Sequence, residues 1–408
     1  MSNKAEESEH AIPQGWDQNI HSIFVTGEAN KAIGALVEQI NLNKDSKPKG
    51  LLEQLSYYLF LIKDYKGASH ILESAHKLHP EDDALLINLG VALSRSQEYK
   101  KSIHYLGQYL KKNPSEYGAW DSLASNYYHI NEEEKAARSG RNALILKDKK
   151  FGAPDEKWKL PDKPVKELTA GKKKVISFSL WGNEKRYIFG ALRNLLLAPD
   201  FYPEWELWFY VDSSVSPGFI ELIEKLGGRI ILQTNNQNLR EKLCWRFAVA
   251  SEDTVGYFLV RDADSVFSLR ECLAVQQWIN SGKHFHILRD WWTHTDLILA
   301  GMWGGISGIL PDIKKMIDNY SPNAMATPSI DQWFLRDCVW RYIKTSYIAH
   351  DRCFKFGNAV SLQWPLPEGN QHIGACEYHQ RPEFQESILA AWLDRGRKKA
   401  EYRPNPLP

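Results

Sequence analysis

Asp262 and Asp264, separated by one alanine, close an apolar run of β-forming residues, Tyr257-Phe258-Leu259-Val260, and are followed by Ser265. Two carboxylates at i and i+2 just past a buried strand present hard oxygen donors to one point. Such donors suit Mg²⁺ or Mn²⁺, which bind one or two protein carboxylates and complete their shells with water and substrate phosphates. The pair is also common as the plain polar end of a strand, so its meaning depends on its surroundings.

Several neighbouring segments carry compatible chemistry. Arg240 and Arg246 precede the strand on a segment with Trp245, and a guanidinium suits bidentate phosphate contact; a salt bridge to the sheet edge explains them as well. Ala300-Gly-Met-Trp-Gly-Gly-Ile-Ser-Gly308 holds four glycines, Gly301, Gly304, Gly305 and Gly308. They read as a loop allowing close backbone approach to a ligand, or tight turns without one. Ser329-Ile-Asp331-Gln332 opens an apolar helix, with Ser329 or Asp331 as an ordinary N-cap on the bland reading. Motifs of other chemistries are missing: there is no Gly-x-x-x-x-Gly-Lys-Ser/Thr, no His-Glu-x-x-His, no Gly-x-Ser-x-Gly, and no Gly-x-Gly-x-x-Gly after the first strand.

The elements that must position these residues alternate from Lys174 onward. Strands are predicted at 175–180, 206–211, 229–232 and 257–260, with helices at 187–197, 218–226 and 239–250. Such alternation implies a mainly parallel sheet covered on both faces, whose ligands sit at the carboxyl ends of the strands. Asp262 and Asp264 fall there. Ser177 and Ser179, at the end of the first strand, fall where nucleobase contacts are expected, with Trp181 placed to cover the base.

This order of elements, with its Asp-x-Asp turn, resembles the GT-A fold of nucleotide-sugar glycosyltransferases over roughly residues 174–380. The resemblance implies that Asp262 and Asp264 hold a divalent ion bridging the donor diphosphate, with Asp264 the direct ligand and Asp262 a second ligand or a ribose contact. It implies that Gly301 and Gly304 line the donor sugar. Asp331 and Gln332 resemble the Asp-Gln element of several retaining GT-A families, beside the reacting sugar, which favours retention. An inverting enzyme would instead need a carboxylate base, and Asp290 or Asp351 could serve. The family often supplies a late histidine as third metal ligand; His350 and His372 both qualify by position, and His350 is preferred because it follows a strand-like run and adjoins Asp351.

A period of 34 residues runs through the first third. Leu55, Leu89 and Leu123 align, as do Leu59, Leu93 and Tyr127, and Ala68, Ser102 and Ala136; Pro80 and Pro114 close two units and Asp148 takes that place in the third. This resembles the tetratricopeptide repeat, and Trp120, Leu123, Tyr127, Ala136, Ala143 and Leu144 fit one full unit. A degenerate hairpin around Gly27–Ala32 is expected to cap it. Each unit is a pair of amphipathic helices that buries its apolar face only by stacking. The resulting concave face is either a groove for a protein partner or a docking surface for the rest of the chain.

The expected architecture is therefore an all-α repeat region over 16–148, a Lys- and Pro-bearing linker over 149–173, a GT-A-like α/β domain over 174–384, and a C-terminal helix and tail over 385–408. The 408 residues carry 51 Lys+Arg against 50 Asp+Glu, a net charge of +1, which points away from nucleic acid. Five scattered cysteines suggest reduced thiols in the cytoplasm. A polar N-terminus and the lack of any long apolar window predict neither secretory signal nor membrane helix. Twelve of the 15 tryptophans lie between Trp181 and Trp392, as core or as stacking faces for sugars and bases. The reading is a transferase of a sugar from a nucleotide-diphosphate sugar to a glycan or protein acceptor, with Mn²⁺ or Mg²⁺. Its rival is a non-catalytic repeat scaffold carrying a degenerate sugar-nucleotide binder.

Overall fold

A computed structural model describes residues 13–43, 47–233, 238–321, 329–362 and 371–376, with 378, 382–383, 386–387 and 390–391. The expected C-terminal helix and tail lie for the most part outside the described residues. Two compact units divide between Leu146 and Lys147.

The described elements of the first unit are all helices: α1 (Gln18–Val25), α2 (Ala29–Leu42), α3 (Lys49–Leu61), α4 (Tyr65–Leu78), α5 (Asp83–Arg95), α6 (Tyr99–Lys112), α7 (Tyr117–His129) and α8 (Glu133–Phe151), the last running past the division. The 34-residue period reappears as backbone geometry. Lys63, Gln97 and Asn131 take the left-handed conformation, with φ of 68°, 66° and 61°, at the same turn of successive hairpins. Periodic leucines and alanines are the buried ones: Leu55, Leu89, Ala68 and Leu72 are at most 4% exposed. Gly90 permits the approach of α5 to α6, since a β-carbon there would lie 2.5 Å from Leu106.

The second unit continues through α9 (Val165–Thr169), β1 (Lys173–Leu180), α10 (Lys185–Phe201), β2 (Trp205–Val211), α11 (Pro217–Lys225), β3 (Arg229–Leu232), α12 (Leu239–Cys244), a 3₁₀ segment (Trp245–Ser251) and β4 (Val255–Arg261). Then come α13 (Leu269–Ser281), β5 (Phe285–Arg289), β6 (Met302–Ile306), α14 (Ile313–Asp318), α15 (Ile330–Phe334), α16 (Trp340–Ile343) and β7 (Tyr347–Asp351). Among the described residues seven strands form one sheet in the order β3-β2-β1-β4-β6-β5-β7. β1 pairs parallel with β2 and β4, β2 with β3, and β5 with β7; β6 runs antiparallel between β4 and β5. Six strands therefore point one way, and their carboxyl ends share one edge. β4 is buried along its whole length, as a strand covered on both faces must be. Among the described residues no helix is long and apolar enough to cross a membrane.

Three expectations change. The glycine segment is not a free loop, because Gly304 and Gly305 lie inside β6. Their missing side chains are required by neighbouring strands: a β-carbon at Gly304 would lie 2.5 Å from the carbonyl oxygen of Phe258, and one at Gly305 2.6 Å from the Phe285 ring. The helix expected over 239–250 is α-helical only to Cys244 and continues as the 3₁₀ segment, where the Arg246 amide donates to Ser179 Oγ (3.0 Å). The stretch read as a linker belongs to the α/β unit. There Trp158 donates to the Ile309 carbonyl (3.2 Å) and packs edge-on to Tyr342.

Candidate functional site

β1 and β4 end side by side, Ser177 pairing with Val260. A cleft opens at this edge, with an empty volume of about 360 Å³ including its mouth; Trp181, Tyr187, Leu243, Arg246 and Asp262 are among its walls. The Asp-x-Asp turn is held from beneath by α10. Asn194 Nδ2 donates to the Ser265 carbonyl (2.7 Å) and Asn194 Oδ1 accepts from the Phe267 amide (2.9 Å). Gly190 lies so close below that a β-carbon would meet the Ala263 carbonyl at 2.2 Å.

Asp262 has a side chain 45% exposed, its Oδ1 paired with Arg246 and its Oδ2 over Gly301. A β-carbon on Gly301 would lie 2.0 Å from that oxygen, so glycine is what lets this loop and the carboxylate share the space. Asp264 is more enclosed, at 15%, with Arg186 Nη1 3.8 Å away. Burial raises the Asp264 pKa, the charge of Asp262 adds to the rise, and Arg186 opposes it. The two carboxylates thus sense each other, with a repulsion that a cation would relieve. Asp262 lines the cleft, while Asp264 lines a smaller neighbouring hollow with Arg186 and Phe189; each offers the carboxylate oxygens that suit a hard divalent ion, the rest of whose shell would come from water and substrate.

Arg246 is 4% exposed and joins three groups: Nη1 donates to the Arg261 carbonyl (3.1 Å) and to Asp262, and Nη2 donates to Asp331 Oδ2 (3.0 Å). Burial opposes its charge, but Asp262 and Asp331 outweigh burial and keep the guanidinium protonated. Asp331 is 5% exposed, and burial lifts its pKa to about 6 despite Arg246. Asp262, Arg246 and Asp331 are therefore brought together, while Asp331 sits behind the arginine.

The remaining expected residues are placed otherwise. Ser177 is fully buried and its hydroxyl donates to the Arg246 carbonyl (2.8 Å), so it clamps the 3₁₀ segment; Ser179 lines the cleft while its Oγ accepts from the Arg246 amide (3.0 Å). Gln332 is spent on the fold, its Oε1 accepting from the Ala300 amide (3.0 Å) and its Nε2 donating to Asp296 Oδ2 (2.5 Å). Gly304 packs within the sheet. His350 is not at the Asp-x-Asp turn: β7 lies three strand spacings from β4, roughly 14 Å. Its ring nitrogens bond His286 Nε2 (2.9 Å) and Gln277 Oε1 (3.1 Å), and burial lowers its pKa to about 4. His372 stacks on Trp291 with 4.8 Å between ring centroids. Among the described residues no three His, Cys, Asp or Glu side chains cluster as a metal cage.

Asp290 and Asp351 are unsuited to act as bases. Asp290 is fully buried under both guanidinium nitrogens of Arg270 (2.6 and 2.9 Å), Arg352 Nε (3.0 Å) and the Ile373 amide (2.9 Å). Asp351, also fully buried, accepts from the Phe354 and Phe356 amides. Sequence reading missed Arg186 and Tyr187. Both stand in the first turn of the helix after β1, a position that faces the carboxyl edge in any parallel strand–helix unit.

The tetratricopeptide-repeat family profile matches residues 60–127. No curated protein matches the chain. Among solved structures, MamA from Desulfovibrio magneticus RS-1 is similar at 21% identity over 32% of this chain and 72% of its own, with a TM-score of 0.30. A Thermobaculum terrenum O-GlcNAc transferase mutant is similar at 17% identity over 60% of this chain and 44% of its own, with a TM-score of 0.35.

Proposed function

We propose that the α/β unit is a metal-dependent glycosyltransferase that moves a sugar from a nucleotide-diphosphate sugar to a glycan or protein acceptor. The observation that carries this reading is the half-exposed Asp262 at the mouth of a cleft with an aromatic wall, at the carboxyl edge of a mainly parallel sheet. Asp262 and Asp264 would hold Mn²⁺ or Mg²⁺, whose contribution when bound is Lewis-acid neutralisation of charge on the departing diphosphate. Trp181 and Tyr187 offer flat apolar faces for a base or ribose. Arg246 supplies fixed positive charge in the cleft wall, and Gly301 leaves room for the Asp262 carboxylate. Asp331 and Gln332 act through Arg246 and through the 296–301 loop. Both side chains are engaged by protein groups, Arg246, Asp296 and the Ala300 amide, and so lend no support to retention of configuration.

The repeats would bring a protein partner or a protein acceptor to the catalytic unit. All five cysteines are free thiols, in keeping with a cytoplasmic setting. The test is a thermal-shift panel on the full chain with UDP-, GDP-, ADP- and CMP-sugars, each with Mn²⁺ and with EDTA. A ligand at a hundred times its Kd stabilises the native state by about 2.7 kcal/mol. A shift with one nucleotide class, lost in EDTA, is expected; no shift with any donor would transfer the reading to a non-catalytic scaffold.

A further inference from the structure

Arg246 has little freedom. Its amide and carbonyl are both fastened to β1, through Ser179 Oγ at 3.0 Å and Ser177 Oγ at 2.8 Å, and its side chain is 4% exposed. The guanidinium is shared between two carboxylates of unequal standing: Asp262, half exposed at the cleft, and Asp331, buried behind it. A charge this deeply buried cannot lose every partner without a large desolvation penalty. Around it three carboxylates, Asp262, Asp264 and Asp331, face two guanidinium groups, Arg246 and Arg186. An ion arriving at Asp262 therefore finds Oδ1 already engaged by a fixed positive charge.

We propose that Arg246 is an internal counter-ion competing with the divalent cation for Asp262, and that Asp331 makes Asp262 releasable by keeping a hold on Arg246. The inference rests on the metal-dependent reading above and concerns how this chain tunes it. Asp331 is thereby a positioning residue: it acts on the metal site only through the arginine. Without Asp331, Arg246 has Asp262 as its one carboxylate and grips it harder. Without the guanidinium, both oxygens of Asp262 are open to the ion. The two changes push metal affinity in opposite directions, a signature that general loosening of the fold cannot produce.

The experiment measures free Mn²⁺ by electron paramagnetic resonance on the full chain without nucleotide, for wild type, Asp331→Asn and Arg246→Gln. Asp331→Asn is expected to weaken Mn²⁺ binding about tenfold, the ratio equivalent to 1.4 kcal/mol of charge-assisted hydrogen bond. Arg246→Gln is expected to tighten it several-fold. Variants that move together, or an Asp331→Asn protein binding Mn²⁺ as tightly as wild type, overturn the inference alone. If Arg246→Gln does not fold, the isosteric Asp331→Asn result decides by itself. A wild-type chain that takes up no Mn²⁺ overturns the metal reading and this inference with it.

Discussion

Gly301→Ala tests the site more sharply than removal of a carboxylate, because it moves Asp262 without changing its charge. The added β-carbon would lie 2.0 Å from Oδ2, 2.5 Å from Cγ and 3.0 Å from Oδ1 of Asp262. Carbon and oxygen settle at about 3.3–3.6 Å even in favourable contacts, so the carboxylate must retreat by more than an ångström. Being the end of a half-exposed side chain, it can swing into solvent instead of forcing the loop open. The loss of a half-exposed ion pair costs about 0.2–1 kcal/mol, and a displaced rotamer about 0.5–1.5 kcal/mol. At about 2–4 °C per kcal/mol for a domain of this size, Tm should fall by only a few degrees.

Binding should suffer far more on the proposed reading, since Asp262 leaves the place it holds in the cleft wall. We expect the Mn²⁺-dependent shift with nucleotide sugar to fall by at least the roughly tenfold in affinity that 1.4 kcal/mol represents. Gly304→Ala is the matched control. Its β-carbon meets the Phe258 carbonyl at 2.5 Å, and main chain within β4 cannot swing aside. That variant should lose more Tm, in line with overpacking at about 1–3 kcal/mol, while folded molecules keep their ligand affinity. A Gly301→Ala protein with unchanged Tm and a full metal-dependent shift would refute the placement of Asp262 in the site.

Three further outcomes follow from buried polar groups. Asp331 keeps its proton up to about pH 6 in the folded chain, against an ordinary value of 3.8; between these values the unfolded chain has lost the proton and the folded one has not. Its contribution to stability should fall as pH rises through that window, by about 3 kcal/mol at 1.36 kcal/mol per unit, and flatten above it. The Tm difference between wild type and Asp331→Asn, followed from pH 4 to 7, checks this, and a flat difference contradicts it. Lys147→Met should cost about 3 kcal/mol in urea unfolding, because the buried ammonium donates to the Thr295 carbonyl (3.0 Å) and Asp296 Oδ1 (2.8 Å). His350→Asn should leave Mn²⁺ affinity unchanged, since His350 stands in the β5–β7 core; a loss of affinity at unchanged stability would restore it as a ligand.

What the sequence made legible was whatever depends on neighbours along the chain. The 34-residue period is local, and it reappears in both the buried leucines and the left-handed turns at Lys63, Gln97 and Asn131. The apolar run before Asp262 is local too, and it placed the carboxylates at the carboxyl edge. Strand order is not local. Between β4 and β7 the chain inserts an antiparallel β6, so a histidine that follows a late strand lands three strands from the turn it was expected to serve. The glycines of β6 answer to Phe258 and Phe285 on its two neighbours, and nothing in their own segment reports this. Of the serines toward the end of β1 only Ser179 lines the cleft, and both bond backbone groups of a segment about 65 residues later, which their own segment does not report.

The carboxyl edge itself explains why two aspartates of many are singled out. Asp212 after β2, Asp262 after β4, Asp290 after β5 and Asp351 at the end of β7 all fall on it, so position alone cannot identify a site. Asp212 is tied to Lys242 (2.8 Å) and held in its charged form. Asp290 is clasped by Arg270 and Arg352, and Asp351 is closed off by loop amides with Arg289 Nη1 at 3.8 Å. All three are at most 3% exposed. Each has its charge met by protein and sealed from water, which is how a buried carboxylate is ordinarily made tolerable. Asp262 departs from this pattern: its partner leaves one oxygen free, nearly half its side chain meets solvent, and a second carboxylate, Asp264, stands close enough to be raised by its charge. It is on this open, mutually repelling pair that the proposed cation site rests.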